Sequence, residues 1–148
     1  MSRPIRIAAR AVILHRDRLL LVNAWANGSD LWCAPGGGAE PHTSLPDNLR
    51  REVHEETGLT VQVGRPCLIN EFHAPDASFH QVDVYFRCDI THGQTSDGWV
   101  DPEGIVSRHI WASRRDMDGL FVKPDSLASV AWGDDAAVSY DPLELLVR

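Results

Sequence analysis

The strongest constraint on this chain lies between residues 35 and 59, where a run of glycines gives way to a segment overloaded with acid. Pro35-Gly36-Gly37-Gly38 closes a short strand-like stretch, Leu31 to Ala34. Ser44 and Asp47 then have the spacing of a capping box, and Pro46 falls in the first turn, where its missing N–H costs little. Gly58 supplies the stop. The spacing predicts a helix from Ser44 to Gly58. The chain has seven glutamates, and three of them, Glu52, Glu55 and Glu56, fall within five residues of this helix. At about 100° per residue the three share one arc that overlaps the apolar stripe Leu45, Leu49 and Val53. Asp47, Arg50, His54 and Thr57 are expected on the other side, facing water.

Such a helix opposes its own formation. Glu52 repels Glu55 and Glu56 at i,i+3 and i,i+4, at about 0.2–0.5 kcal/mol per pair. Glu55 and Glu56 also sit in the last turn, where the helix dipole favours cations, for about 0.3–1 kcal/mol each. Partial burial adds to both terms. Arg51 can reach Glu55 at i,i+4, but one guanidinium cannot neutralise three carboxylates. A hard divalent cation relieves every term, and all-oxygen ligation points to Mg2+ or Mn2+ over zinc. A solvated Glu-rich helix end is the plain alternative, and the wheel alone leaves the two open. The preceding glycines favour a site, because consecutive glycines let backbone approach a ligand closely.

The rest of the chain reads as one domain, 1–148, of mixed α/β (α+β) type. Ile5–Leu14 and Leu19–Val22 flank a polar break and suggest a hairpin, not a signal peptide. Val61–Val63, Leu68–Phe72, Gln81–Ile90 and Ile105–Trp111 are strand-like. In the third, Val82, Val84 and Phe86 alternate with Asp83, Tyr85 and Arg87. Ser113–Asp118 and Asp125–Trp132 read as short helices, and the tail after Gly133 is ambiguous. No apolar run approaches the roughly 18 residues of a membrane span. A net charge of −7 with a single lysine, Lys123, argues against nucleic-acid or anionic-membrane partners. Cys33, Cys67 and Cys88 are widely spaced and fit neither a zinc site nor a disulfide framework, so reduced thiols in the cytoplasm are expected.

Trp32 to Leu59 resembles the box of the Nudix hydrolases, G-x5-E-x7-R-E-U-x-E-E-x-G-U with U bulky and aliphatic. Gly37, Arg51, Glu52, Val53, Glu55, Glu56, Gly58 and Leu59 occupy its positions, while Thr43 stands where the first glutamate belongs. The resemblance implies a mixed β-sheet sandwiched between α-helices. It also implies metal-dependent hydrolysis of a nucleoside diphosphate linked to another group, by water attack on phosphorus. By the same carry-over, Glu52, Glu55, Glu56 and the Gly37 carbonyl would hold the metal, and Arg51 would position Glu52 or Glu55. In the family the first glutamate commonly braces the box arginine. Threonine cannot form that ion pair, so Asp47 is the expected substitute and Arg51 is expected to be less ordered. The alternative is a catalytically weak or silent nucleotide-binding regulatory module, with Thr43 as its mark.

Glu103, in the polar stretch 92–104, is the candidate general base; Glu71 and Asp101 are the alternatives. Trp99 is a candidate for stacking on a base, while Trp25, Trp111 and Trp132 read as packing and His54 as exposed. Arg6, Arg10 and Arg87 lie on strands that could face a cleft. The expected partner is a small nucleotide derivative, and a homodimer is the default assembly.

Overall fold

The computed structural model describes residues 4–23, 30–93 and 108–146. The hairpin forms as expected, β1 (Arg6–His15) and β2 (Arg18–Asn23), with Arg16 and Asp17 at positive φ in its two-residue turn. Only the far end of β1 pairs with β2, at Leu14↔Leu19 and His15↔Arg18. Its near end pairs instead with β4 (Gly36–Gly38), at Ala8↔Gly38, Ala9↔Gly37 and Arg10↔Gly36. The glycine run is therefore a short strand, fixed on β1 just before the acidic helix.

Strands β5 (Thr60–Ala74) and β6 (Phe79–His92) form a long antiparallel pair, and β6 runs parallel to β1 with Arg6↔Gln81 through Ile13↔Cys88 in register. Val61–Val63 and Leu68–Phe72 are thus one strand, not two. Register shifts between Val63 and Leu68 absorb Gly64-Arg65-Pro66 as a bulge, which is where a strand tolerates a proline. β7 (Arg108–Ser113) closes one side of the sheet against β2. The ambiguous tail lays two short strands, β9 (Ser139–Tyr140) and β10 (Glu144–Leu145), parallel to β5 on the other side. Leu31–Trp32 is β3, paired with β8 (Phe121–Val122) in a separate two-stranded sheet. The first expected short helix is a 3-10 turn at Asp116–Gly119; the second is Leu127–Ala131, called α2 below.

The predicted acidic helix is α1 (Leu45–Thr57). Leu49, Val53, Ala9, Ala11, Ile13 and Phe86 form a core on its side of the sheet. Val12, Leu21, Leu68, Tyr85, Leu127 and Val130 form a second core under α2. Both sets of alternating β6 side chains are therefore covered, which gives a mixed sheet between two helices. Thr57 is fully buried, not facing water. It follows Val53 by four residues and so shares its stripe. Its hydroxyl donates to the Val53 carbonyl at 2.7 Å and accepts from Leu59 N at 3.2 Å, so burial leaves no polar atom stranded. Among the described residues, no helix is long and apolar enough to cross a membrane.

Candidate active site

Local chemistry fixes the ends of α1. Ser44 Oγ accepts from Asp47 N at 3.1 Å, and Gly58, at φ 79°, donates its N–H to His54 O at 2.9 Å. Gly36 packs so tightly on β1 that a Cβ there would lie 2.0 Å from Ala9 O. Its N–H donates at 3.0 Å to Oε2 of Glu56, a carboxylate only 9% exposed. Gly37 faces Glu52, whose carboxyl carbon would stand 2.7 Å from a Cβ at that position. A side chain at Gly36 would thus collide with backbone, whereas one at Gly37 would displace the Glu52 carboxylate.

Arg51 gathers the acids. Nη1 donates to both oxygens of Glu55 at 3.2 Å, while Nη2 reaches Glu52 Oε1 at 3.2 Å, Asn48 Oδ1 at 3.2 Å and Glu40 Oε1 at 3.4 Å. Burial works against its charge, but the Glu55 hydrogen bond and the charges of Glu52, Glu40 and Glu55 outweigh it and raise the Arg51 pKa. Asn48, fully buried, accepts from Glu40 N at 3.3 Å and donates to Gly38 O at 3.0 Å, tying the glycine strand to the helix.

The expected brace is therefore corrected. Asp47 is exposed and pairs with its neighbour Arg50 at 3.3 Å, one step round the helix from Arg51. Glu40, three residues before Thr43, reaches the guanidinium instead. Arg51 is held by four partners and not loosened. Neither Glu40 nor Asn48 stood out in the sequence. The available signal was Asn48 at i−3 from Arg51, on the same helical face.

Among the described residues, no three His, Cys, Asp or Glu side chains converge into a ready-made ion cage, because Arg51 bridges Glu52 and Glu55. The donor set nevertheless suits a hard cation. It is oxygen only, three carboxylates crowd one guanidinium with Glu56 held by Gly36 N, and the absence of a side chain at Gly37 leaves Glu52 directly against backbone.

Beside this cluster the α2 face of the sheet holds a cleft of about 500 Å³. Arg10 lines it, with Nε on Asp83 Oδ2 at 3.3 Å and Nη1 on Ala34 O at 3.2 Å. Burial opposes its charge, yet Asp83 beside it keeps the guanidinium protonated. Arg6 and Lys123 also line the cleft, whereas Arg87 turns away to the end of α2, donating to Val130 O at 2.7 Å. Burial likewise pushes up the Cys33 thiol at the cleft wall. Glu103, Asp101 and Trp99 lie outside the described residues, as does Trp25. Glu71 accepts from Tyr140 Oη and stands 3.4 Å from His80 Nε2, apart from the Arg51 cluster. His54 is exposed. Trp111 packs against the α1-side core and Trp132 donates from Nε1 to Asp17 at 3.0 Å.

Diphosphoinositol polyphosphate phosphohydrolase 2 of Rattus norvegicus is 33% identical over 95 residues, which is 64% of this chain and 49% of that protein. The chain thus spans about half the length of the curated relatives it matches. Two solved structures share the fold. A mutator MutT protein from Bacillus halodurans has a TM-score of 0.72 at 22% identity, over 92% of this chain and 87% of that one. An ADP-ribose pyrophosphatase from Streptococcus suis has a TM-score of 0.67 at 24% identity, over 93% and 100%. Nudix hydrolases generally use divalent metal cations. The NUDIX domain profile matches residues 4–132, which include the glycine strand, α1 and the cleft floor, and the chain belongs to that family.

Proposed function

We propose that the protein hydrolyses a pyrophosphate bond in a nucleoside diphosphate linked to another group, by water attack on phosphorus. The observation that carries this reading is the junction of β4 and α1, where Glu52, Glu55 and Glu56 are held by Arg51 and Gly36 beside an open cleft. In this proposal Glu52, Glu55, Glu56 and the Gly37 carbonyl hold Mg2+ or Mn2+. The ion neutralises phosphate charge and lowers the pKa of a bound water.

The chain's own groups do the positioning. Gly36 N–H fixes one oxygen of Glu56 against the glycine strand. Arg51 orients Glu52 and Glu55 together, so that two acids move as one unit. Glu103 is assigned as the base that takes the proton of the attacking water. The ground for a silent module is the missing brace at Thr43, and the Glu40 contact with Arg51 supports the catalytic reading instead. Three free cysteines agree with a reducing cytoplasmic setting.

The test is a panel of nucleoside diphosphate derivatives with Mg2+ and Mn2+, with products identified by mass. Turnover that needs the cation and falls at least about a hundredfold in Glu56→Gln supports the proposal. Cation-independent turnover, or full activity in Glu56→Gln, overturns it.

A further inference from the structure

The NUDIX profile ends at residue 132, yet chain beyond it walls the cleft. Residues 139–146 run along β5 as a strap. Asp141 N donates to Ile69 O at 2.9 Å and Leu146 N to His73 O at 2.8 Å. Side chains add a clasp. Asn70, only 3% exposed, donates from Nδ2 to Asp141 Oδ2 at 2.9 Å and to Glu144 Oε1 at 3.3 Å. Ser126 Oγ donates to the same Asp141 oxygen at 2.7 Å, and Tyr140 Oη donates to Glu71. Glu144 is therefore a half-buried carboxylate held by a buried amide, not a loose acid on a tail.

Register fixes where Glu144 stands. It pairs with Phe72, Phe72 with Gln81 and Gln81 with Arg6, and all four residues line the cleft. Their strands β10, β5, β6 and β1 are consecutive in the sheet, so three spacings of about 4.8 Å set the backbones of Glu144 and Arg6 roughly 14 Å apart. The cleft thus has unlike ends. At the box end Arg6 lies on the glycine strand, its Nη2 2.7 Å from where a Cβ on Gly38 would be. At the strap end the charge is negative. Lys123 also lines the cleft but is paired with Asp125 at 3.0 Å, and Arg10 is paired with Asp83 at 3.3 Å. A carboxylate accepts hydrogen bonds and donates none, so Glu144 suits hydroxyl or amino groups. A phosphate brought against it meets like charge.

We propose that the strap is the specificity element of this enzyme: across the cleft from Arg6, Glu144 accepts hydrogen bonds from an uncharged, hydroxyl-bearing part of the substrate and excludes a phosphate there. The proposal rests on the pyrophosphate-hydrolysis reading, and its test separates the two. ADP-ribose is compared with its 2′-phosphate and its 1″-phosphate, so that whichever ribose lies against the strap, one analogue places a phosphate on it. Steady-state kinetics with Mg2+ and calorimetric Kd without metal are measured on the wild type, Glu144→Gln and Glu144→Lys. In the wild type at least one analogue should be cleaved and bound about tenfold or more worse than ADP-ribose, with KM carrying the difference. That penalty should fall below about threefold in Glu144→Gln and reverse in Glu144→Lys. Parity of the three compounds on the wild type, a penalty unchanged in both variants, or failure of all three to bind overturns the proposal. If none is cleaved but the binding penalty appears and is lost in the variants, the hydrolase reading fails and the role of Glu144 stands.

Discussion

Adjacent glycines in β4 should fail in opposite ways when given a methyl group. In Gly37→Ala the new Cβ would lie 2.7 Å from the Glu52 carboxyl carbon and 2.8 and 2.9 Å from its oxygens. These atoms end a flexible side chain, so the carboxylate can retreat by roughly 0.5–1 Å to reach ordinary contact. A displacement of about 1 Å in a positioned group costs on the order of a hundredfold in rate, or about 2.7 kcal/mol of barrier. Stability should not suffer. Gly37 is absent from the positive-φ glycines, and Gly→Ala at a compatible backbone position contributes about 0.4–1 kcal/mol through the unfolded chain. In Gly36→Ala the Cβ would meet backbone, Ala9 O at 2.0 Å and Arg10 Cα at 2.8 Å. Neither atom can move without opening the β1–β4 pairing, so a loss of about 3 kcal/mol or more is expected. Thermal melts and kcat/KM on ADP-ribose, measured on both variants, make the comparison. The expected outcome is a folded, slow Gly37→Ala and a poorly folded Gly36→Ala. Wild-type kcat/KM in a folded Gly37→Ala would refute the claim that the turn sets Glu52.

Other outcomes follow from the same geometry. Glu40→Gln should lower kcat/KM about two- to fivefold, the scale of a surface ion pair, and Thr43→Glu on that background should restore it; steady-state kinetics on the single and double variants decide. Asn48→Ala leaves Gly38 O and Glu40 N without their partner and should cost about 2–3 kcal/mol in urea unfolding. Glu55→Gln should lose most turnover with folding close to unchanged, because the like-charge repulsion it removes is offset by the weakened Arg51 ion pair; activity and melting temperature are read together. Burial raises the Cys67 and Cys88 thiols to about 11 and about 12. Unfolded thiols ionise near about 8.5, so between that pH and about 11 the native state holds protons the unfolded state releases. Stability should therefore fall as pH rises above about 8.5, by up to about 1.4 kcal/mol per unit per thiol, and urea titrations at pH 8 to 10 should show a shallower slope in Cys88→Ala.

What the sequence disclosed was local. Ser44, Pro46 and Gly58 mark α1 because capping is settled within a few residues, and the glutamate arc follows from helical period alone. The wheel still misplaced Thr57, since a hydroxyl that bonds its own helix can be buried as readily as a valine. Gly64-Arg65-Pro66 read as a break, whereas pairing with the long β6 carries β5 through it as a bulge. Glu40 was invisible as a brace because its reach to Arg51 depends on how residues 39–44 turn back over Asn48. Of the cleft, only Arg6 and Arg10 were legible as candidate lining. Its floor joins residues from β1, β5 and β6 that become neighbours only through the parallel β1–β6 and antiparallel β5–β6 registers.

The central claim is that Glu52, Glu55 and Glu56, organised by Arg51 and Gly36, form a divalent cation site. Mn2+ titration followed by electron paramagnetic resonance tests it without any substrate. Saturable binding to the wild type that is weakened at least about tenfold in both Glu52→Gln and Glu56→Gln is the expected result. Equal Mn2+ affinity in the wild type and both variants would contradict the account.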